Sequence, residues 1–483
     1  MNTARRLAKN TIASLLTQVS TPMASFILVL MIARRLGTSG LGEYSTALSM
    51  YFIFQALSSF GFHLLITREV ARDSSNANKY FVNGIFLAFF FSIVSALLMC
   101  IAVNWITVVP TIRHSVYVLS SSLLFYTLAL VFQSICRAFE KLEYITIPHV
   151  VGNICKLAFG IYLLYQGYGL VALMAVILFS QIINFLLSLY FSLHFIKKPL
   201  EKLDFRFCKK ILGSIPIFTL IIILSTIRGN IDILLLTKMI ATEEAGYYSA
   251  AYKLVNLSKL GISCYIMALQ PIIFRSFVSS LQKLGTICTE SIRYLIIIVM
   301  PIVVSVIVLS DRIILLIFKE DFLPSAHALS ITIWVLLFYS FTQVLATALI
   351  GSDYQRRDLE ANLIGLVTCI GLNVVLIQRF SFIGAAIATC ASVFIVAAVQ
   401  YHYVAKNLFK INFVKLALKP MVAAALMAGV LLLCRNGNLV LIVIISAATY
   451  FLCLLGLKTF SQKDVEFLRN LWEGKATFNG ISS

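Results

Sequence analysis

Charge is what this sequence has least of. Only 12% of its 483 residues are Asp, Glu, Lys or Arg, where a soluble domain carries roughly a quarter. With 60% hydrophobic residues and a mean hydropathy of +0.94, no water-soluble core could absorb so much apolar chain. The ten cysteines stand singly, mostly inside apolar runs (Cys100, Cys136, Cys155, Cys264, Cys369, Cys390), with no CxxC and no histidine at ligand spacing. That pattern indicates neither a disulfide framework nor a metal site. GxSxG, HExxH and phosphate-cradling glycine loops are also missing. The N-terminal stretch MNTARRLAKN has the basic flank of a signal peptide. The apolar run after it lasts about 22 residues and lacks an Ala-x-Ala exit, so it reads as a retained first span. The net charge of +19 does not point to nucleic acid, because the basic residues fall between apolar runs and form no aromatic-interleaved patch.

What the chain does have is a succession of apolar runs long enough to cross a bilayer. Spans are expected near 12–33, 44–66, 80–103, 116–136, 144–166, 169–196, 211–237, 246–273, 294–310, 327–350, 361–377, 382–405, 417–434 and 439–457. The fold class is therefore an all-α membrane protein of about fourteen helices. Alternate connections differ in charge. One set carries Arg5, Arg6, Lys9, Arg68, Arg72, Lys79, the six cations between Lys197 and Lys210, and a basic tail. The other set is poor in cations. A bias of roughly three to one places both termini in the cytoplasm.

Residues 34–47 (RRLGTSGLGEYSTA) align without gaps on 238–251 (KMIATEEAGYYSAA). Thr38, Gly42, Tyr44, Ser45 and Ala47 recur as Thr242, Gly246, Tyr248, Ser249 and Ala251. Each copy joins the first two spans of a six-helix set, so the halves enter the membrane in the same orientation. Two lobes related by a pseudo-two-fold along the membrane normal are expected. Residues 1–208 form the first, residues 209–416 the second, and 417–483 add two helices and a tail outside the repeat.

Residues 34–45, together with RGNID at 228–232 and FIGAAIAT at 382–389, resemble the Wzx-type polysaccharide flippases of the multidrug/oligosaccharidyl-lipid/polysaccharide exporter superfamily. The resemblance implies a two-lobed exporter that works by alternating access. It also implies a cargo: a polyprenyl-pyrophosphate-linked oligosaccharide repeat, moved from the cytoplasmic to the periplasmic leaflet of a bacterial inner membrane for O-antigen or capsule synthesis. The expected partners are that lipid-linked cargo, the bilayer and, downstream, polysaccharide polymerase and chain-length proteins.

The polar residues inside the spans give the candidate site. A charge at mid-bilayer costs about 2.5–3.5 kcal/mol on the insertion scale, so it normally faces protein or a wet cavity. Lys156 lies near the centre of the fifth span, on one face with Asn153 and His149. Arg228 and Asp232, four residues apart, fall on one face of the seventh span and are placed to pair. The guanidinium of Arg228 suits phosphate oxygens, and Asp232 either orients it or serves as a coupling carboxylate. On the eighth span Lys253, Asn256 and Lys259 sweep about 120°. Ser14, Gln18, Thr21 and Ser25 form a polar stripe around Pro22, and Arg34 and Arg35 sit at the outer mouth. Lys156, Arg228 and Lys259 are expected to line one central cavity and to meet the pyrophosphate, with Asp232 as essentially the lone intramembrane carboxylate. No cofactor is called for; H+ or Na+ is the candidate coupling ion. Two rival readings remain, a cation-coupled multidrug exporter on the same fold and a membrane glycosyltransferase or polymerase. The first would want acidic residues in the cavity. The second would want a large outer loop, whereas the longest one here, about 311–326, is short.

Overall fold

The computed structural model describes residues 3–196, 201–214, 217–434 and 437–459, with side chains from residue 16 onward except at 218, 278 and 279. In hydrocarbon every backbone N–H and C=O must find its partner within the chain, and a continuous apolar run does so only as a helix. Among the described residues there is no strand.

The helices run α1 (Thr3–Ser59), α2 (Phe62–Arg72), α3 (Ala77–Ile106), α4 (Pro110–Ala138), α5 (Glu143–Tyr165), α6 (Leu170–Ser192), α7 (Phe205–Gly213) and α8 (Ile217–Arg228). They continue as α9 (Ile231–Met239), α10 (Thr242–Ser279), α11 (Leu281–Ile317), α12 (Ser325–Thr332), α13 (Trp334–Gly351), α14 (Gln355–Asn407), α15 (Phe413–Leu433) and α16 (Leu439–Gly456). Among the described residues twelve helical segments are long and apolar enough to cross a membrane. Two of them are broken by a kink. Gly37, at φ 69°, splits α1 into two limbs, and Ser381, at φ 50°, splits α14 likewise. With each of these two counted as a pair of limbs, the described residues accommodate the fourteen expected spans. The side on which α1 begins is called the near side, and the side of its Gly37 bend the far side.

The lobes are α1–α6 and α8–α14, and they meet chiefly where α1 packs on α10. The meeting is reciprocal. A Cβ on Gly42 would overlap the Thr242 carbonyl, and one on Gly246 would overlap the Thr38 carbonyl. The Ser39 and Thr242 hydroxyls lie 3.2 Å apart, while Thr38 Oγ1 donates to Glu243 Oε1 at 3.4 Å. Since Thr38 and Thr242, and Gly42 and Gly246, are counterparts in the repeat, residue i touches j′ and j touches i′. That reciprocity is the mark of a two-fold contact. Only glycine lets the two backbones come so close.

α15 packs on α11 and α16, and Tyr450 OH donates to the Ile297 carbonyl at 3.0 Å. This last pair stands outside the repeat. The expected lobe boundary at 208/209 falls inside α7, whose Cys208 and Ile211 bury against Phe62, Val70 and Phe81 of the first lobe. Asp204 caps α7 by accepting from Phe207 N–H at 3.1 Å, and it pairs with Lys79 of α3 at 3.6 Å. Residues 197–200 of the expected basic linker, and 460–483 of the expected tail, lie outside the described residues.

Candidate substrate site at the lobe boundary

The seventh span is where the local sequence shapes the site. Its helix stops at Arg228, crosses Gly229–Asn230, and restarts at Ile231 as α9. Helical spacing does not carry across that break, so the expected Arg228–Asp232 pair is not made and Asp232 does not orient Arg228. Asp232 turns instead into the second lobe, where it is 1% exposed. Its Oδ2 accepts from Tyr248 OH (2.9 Å) and Thr389 Oγ1 (2.6 Å). Its Oδ1 accepts from Asn373 Nδ2 (2.6 Å) and Cys369 Sγ (3.3 Å). Every donor in this cage is neutral.

Arg228 faces a cavity of about 430 Å³ within the second lobe, walled by α8, α10, α13 and α14. Lys259 lines the same cavity. Its Nζ donates to Asn256 Oδ1 (2.9 Å) and Tyr252 OH (3.2 Å), and it lies over the rings of Tyr252 (4.7 Å) and Tyr339 (5.4 Å). At the near end of this cavity sits a second buried carboxylate, Asp358. Asp232 is thus not the lone acidic group within the spans. Asp358 escapes a hydropathy reading because it follows Arg356 and Arg357 and reads as part of a charged loop, whereas the helix already begins at Gln355.

A second cavity, of about 260 Å³, lies between the lobes and shares Gly229 and Tyr252 with the first. Lys253 and Asn256 line it. So do Ser45, Leu48, Ser49 and Phe52 of α1, which are the repeat counterparts, position for position, of Ser249, Tyr252, Lys253 and Asn256 of α10. The cavity therefore sits on the pseudo-two-fold axis. Its chemistry is lopsided, because the repeat supplies serine at 49 where it supplies lysine at 253. Ser45 Oγ and Ser249 Oγ, each on a residue 1% exposed, have no hydrogen-bond partner. Both serines are legible as repeat-invariant positions, though nothing in the sequence says they face a cavity.

Lys156 lines neither of these two cavities. Its Nζ donates to Ser25 Oγ at 3.3 Å, on the α1 side of the boundary, and it lies within electrostatic reach of Lys253. Asn153 donates to Thr21 Oγ1 at 2.9 Å, so part of the Gln18–Ser25 stripe serves to pack α5 on α1. His149 sits between Gln133 (3.3 Å) and Asn184 (3.4 Å) inside the first lobe. Arg34 and Arg35 are on the far-side rim and line neither cavity. Arg34 Nη2 donates to the Ile317 carbonyl (3.2 Å) while Lys319 Nζ donates to the Arg34 carbonyl (3.2 Å), and Arg35 lies 4.3 Å from the Tyr165 ring centroid. No salt bridge among the described residues neutralises Arg228, Lys253, Lys259 or Lys156. Among them, too, no cluster of His, Cys, Asp and Glu has the makings of a metal site.

A family model described as polysaccharide biosynthesis protein matches residues 7–277. The probable low-salt glycan biosynthesis flippase Agl15 of Haloferax volcanii is 20% identical over 416 residues, covering 82% of this chain and 83% of its own. Among solved structures, the lipid II flippase MurJ in an inward closed conformation superposes with a TM-score of 0.76 at 16% identity, covering 96% of this chain and 99% of that one. An inward-facing multidrug resistance MATE family transporter of the MOP superfamily superposes with a TM-score of 0.67 at 15% identity, covering 81% and 97%. At such identities the structural likeness establishes the two-lobed fold.

Proposed function

Because the chain belongs to the polysaccharide biosynthesis protein family, we propose that it is a flippase for a polyprenyl-pyrophosphate-linked oligosaccharide, working by alternating access in a bacterial inner membrane. The observation that carries this reading is the set of unneutralised cations, Arg228, Lys253 and Lys259, converging on two adjoining cavities at the lobe boundary. Leaving them uncompensated at membrane depth is costly, and an anionic headgroup compensates them on arrival. The axial cavity suits the pyrophosphate. Lys253 supplies charge there, Ser45 and Ser249 supply free hydroxyls from the two lobes, and Lys156 adds its field from the first lobe. The polyprenyl tail stays in lipid.

Asp232 is the coupling carboxylate in this reading. Its two oxygens, the Thr389 and Tyr248 hydroxyls and the unpartnered Asn373 Oδ1 make an oxygen-rich nest that fits either a proton or a hard cation such as sodium. The loop charges put the near side in the cytoplasm, so loading occurs there and release at the periplasmic face. O-antigen or capsule polymerase and chain-length proteins are the natural consumers of the product.

The test is deletion and complementation in the native strain. Lipid-linked repeats should accumulate on the cytoplasmic leaflet without the protein and clear when it is restored. Drug sensitivity rising while the repeats still cross would support a multidrug exporter and sink the flippase reading.

A further inference from the structure

Asp358 lies at the near end of the second-lobe cavity with 0% exposure. Its Oδ1 accepts from Gln400 Nε2 at 2.6 Å and from Asn362 Nδ2 at 3.4 Å, while its Oδ2 has no partner. A carboxylate only accepts, so it is the NH2 group of Gln400 that must face Asp358. That leaves Gln400 Oε1 as a second free acceptor, on a residue 2% exposed. Arg228, which lines the same cavity, has a free donor in its Nε. Three buried polar atoms without partners, two acceptors and one donor, thus belong to residues that wall one space.

A buried polar atom left without a partner is costly, so three on the walls of one cavity mark a place for a ligand that completes them. The pattern selects the ligand's chemistry. A phosphate at the Asp358 end of the cavity, although Arg228 and Lys259 would attract it, would be repelled by Asp358 and offer nothing to Gln400. An apolar drug would satisfy none of the three. A group of adjacent hydroxyls satisfies all of them, because each hydroxyl both donates and accepts. We infer that this cavity is a sugar subsite, in which Asp358 and Gln400 accept from hydroxyls of the cargo glycan and Arg228 donates to one. A space of about 430 Å³ takes a small saccharide. The acceptors are held rigid by their mutual hydrogen bond and discriminate strongly, since a sugar lacking the matching hydroxyl leaves them unpaired again.

The inference rests on the flippase reading, and its experiment separates the two. Full-chain protein in nanodiscs is offered two probes, with occupancy read by native mass spectrometry. One is sugar-free polyprenyl pyrophosphate. The other is the lipid-linked oligosaccharide pool extracted from the native strain lacking the protein. Asp358→Asn and Gln400→Met are each expected to weaken the oligosaccharide probe about tenfold, roughly the weight of one buried hydrogen bond, while binding of the sugar-free probe stays unchanged. Lys253→Ala is expected to weaken both. Equal losses for the two probes in Asp358→Asn and Gln400→Met, or no loss for either, overturn the sugar subsite and leave the flippase reading standing. Unaltered protein that takes neither probe overturns both. If one variant fails to fold, the other decides.

Discussion

Lys259 is surrounded inside the membrane by neutral groups: the Asn256 and Tyr252 oxygens and two tyrosine faces. Such partners solvate an ammonium without cancelling it, which leaves its charge available to an anion. Lys259→Ala is expected to lower surface glycan display about tenfold at normal membrane abundance, the scale of one charge-assisted bond, whereas Lys259→Arg retains most of it. Full display from the alanine variant would remove Lys259 from the site. Asp232 allows a sharper separation of roles. In Asp232→Asn the amide NH2 can turn toward Tyr248 and Thr389, whose hydroxyls rotate to accept it. The fold is then expected to survive while coupled export is lost. Asp232→Ala strands the donors of Asn373 and Cys369 and is expected to lower stability by about 1–3 kcal/mol in a thermal unfolding series. An Asp232→Asn protein that exports normally would make the residue structural. These polar residues were legible as rare charges in apolar runs. Their pairings were not, because the α8–α9 break at Gly229–Asn230 redirects Asp232 away from Arg228.

The helices themselves were almost wholly legible, since twenty apolar residues in lipid have one stable conformation. What hydropathy misses is where helices bend or break, as at Gly37, Ser381 and Gly229–Asn230, and amphipathic elements such as α7 that lie outside any span. The Gly42–Gly246 crossing of α1 and α10 is one element whose sequence signal, a repeated glycine, has a direct physical meaning. Gly42→Ala would drive a methyl into the Thr242 carbonyl, so this variant is expected to hold the far-side seam apart. Spin labels at 39 and 242 should then report a longer distance than in the unaltered protein. For α7, the Phe207 N–H that Asp204 accepts holds its carboxyl below the usual carboxylate range. A depressed folded-state pKa means that this cap stabilises the helix fully above the ordinary value of about 4 and is lost as pH falls through the lower one. Hydrogen exchange over 205–213, corrected for intrinsic rate, should therefore stay slow from neutral pH down to that range and quicken below it. In Asp204→Asn, which still caps but does not titrate, the step should vanish.

Across the whole molecule, the repeat of 34–47 in 238–251 sets two lobes on one axis, and the far-side seam is where that symmetry becomes contact. The same seam makes alternating access testable. Cargo loaded from the near side can leave on the far side only if α1 and α10 part at Ser39, Gly42, Thr242 and Gly246. The near side has its own bridge between lobes, Gln18 Nε2 to Met267 Sδ at 2.7 Å, which must open for loading. In a background without the ten native cysteines, Ser39→Cys with Thr242→Cys places two thiols where the hydroxyls now lie 3.2 Å apart, close enough for a disulfide. Oxidation is expected to stop glycan export and reduction to restore it, and a Gln18→Cys, Met267→Cys pair should behave the same way. Each lock holds one gate shut, and a cycle that needs both gates stops at either. The readout is export before and after reductant, with disulfide formation followed on gels. Cells whose far-side lock is fully oxidised yet export at the reduced rate would show that the seam does not open during transport, and the two-gate cycle would have to be abandoned for a path along the lobe surface.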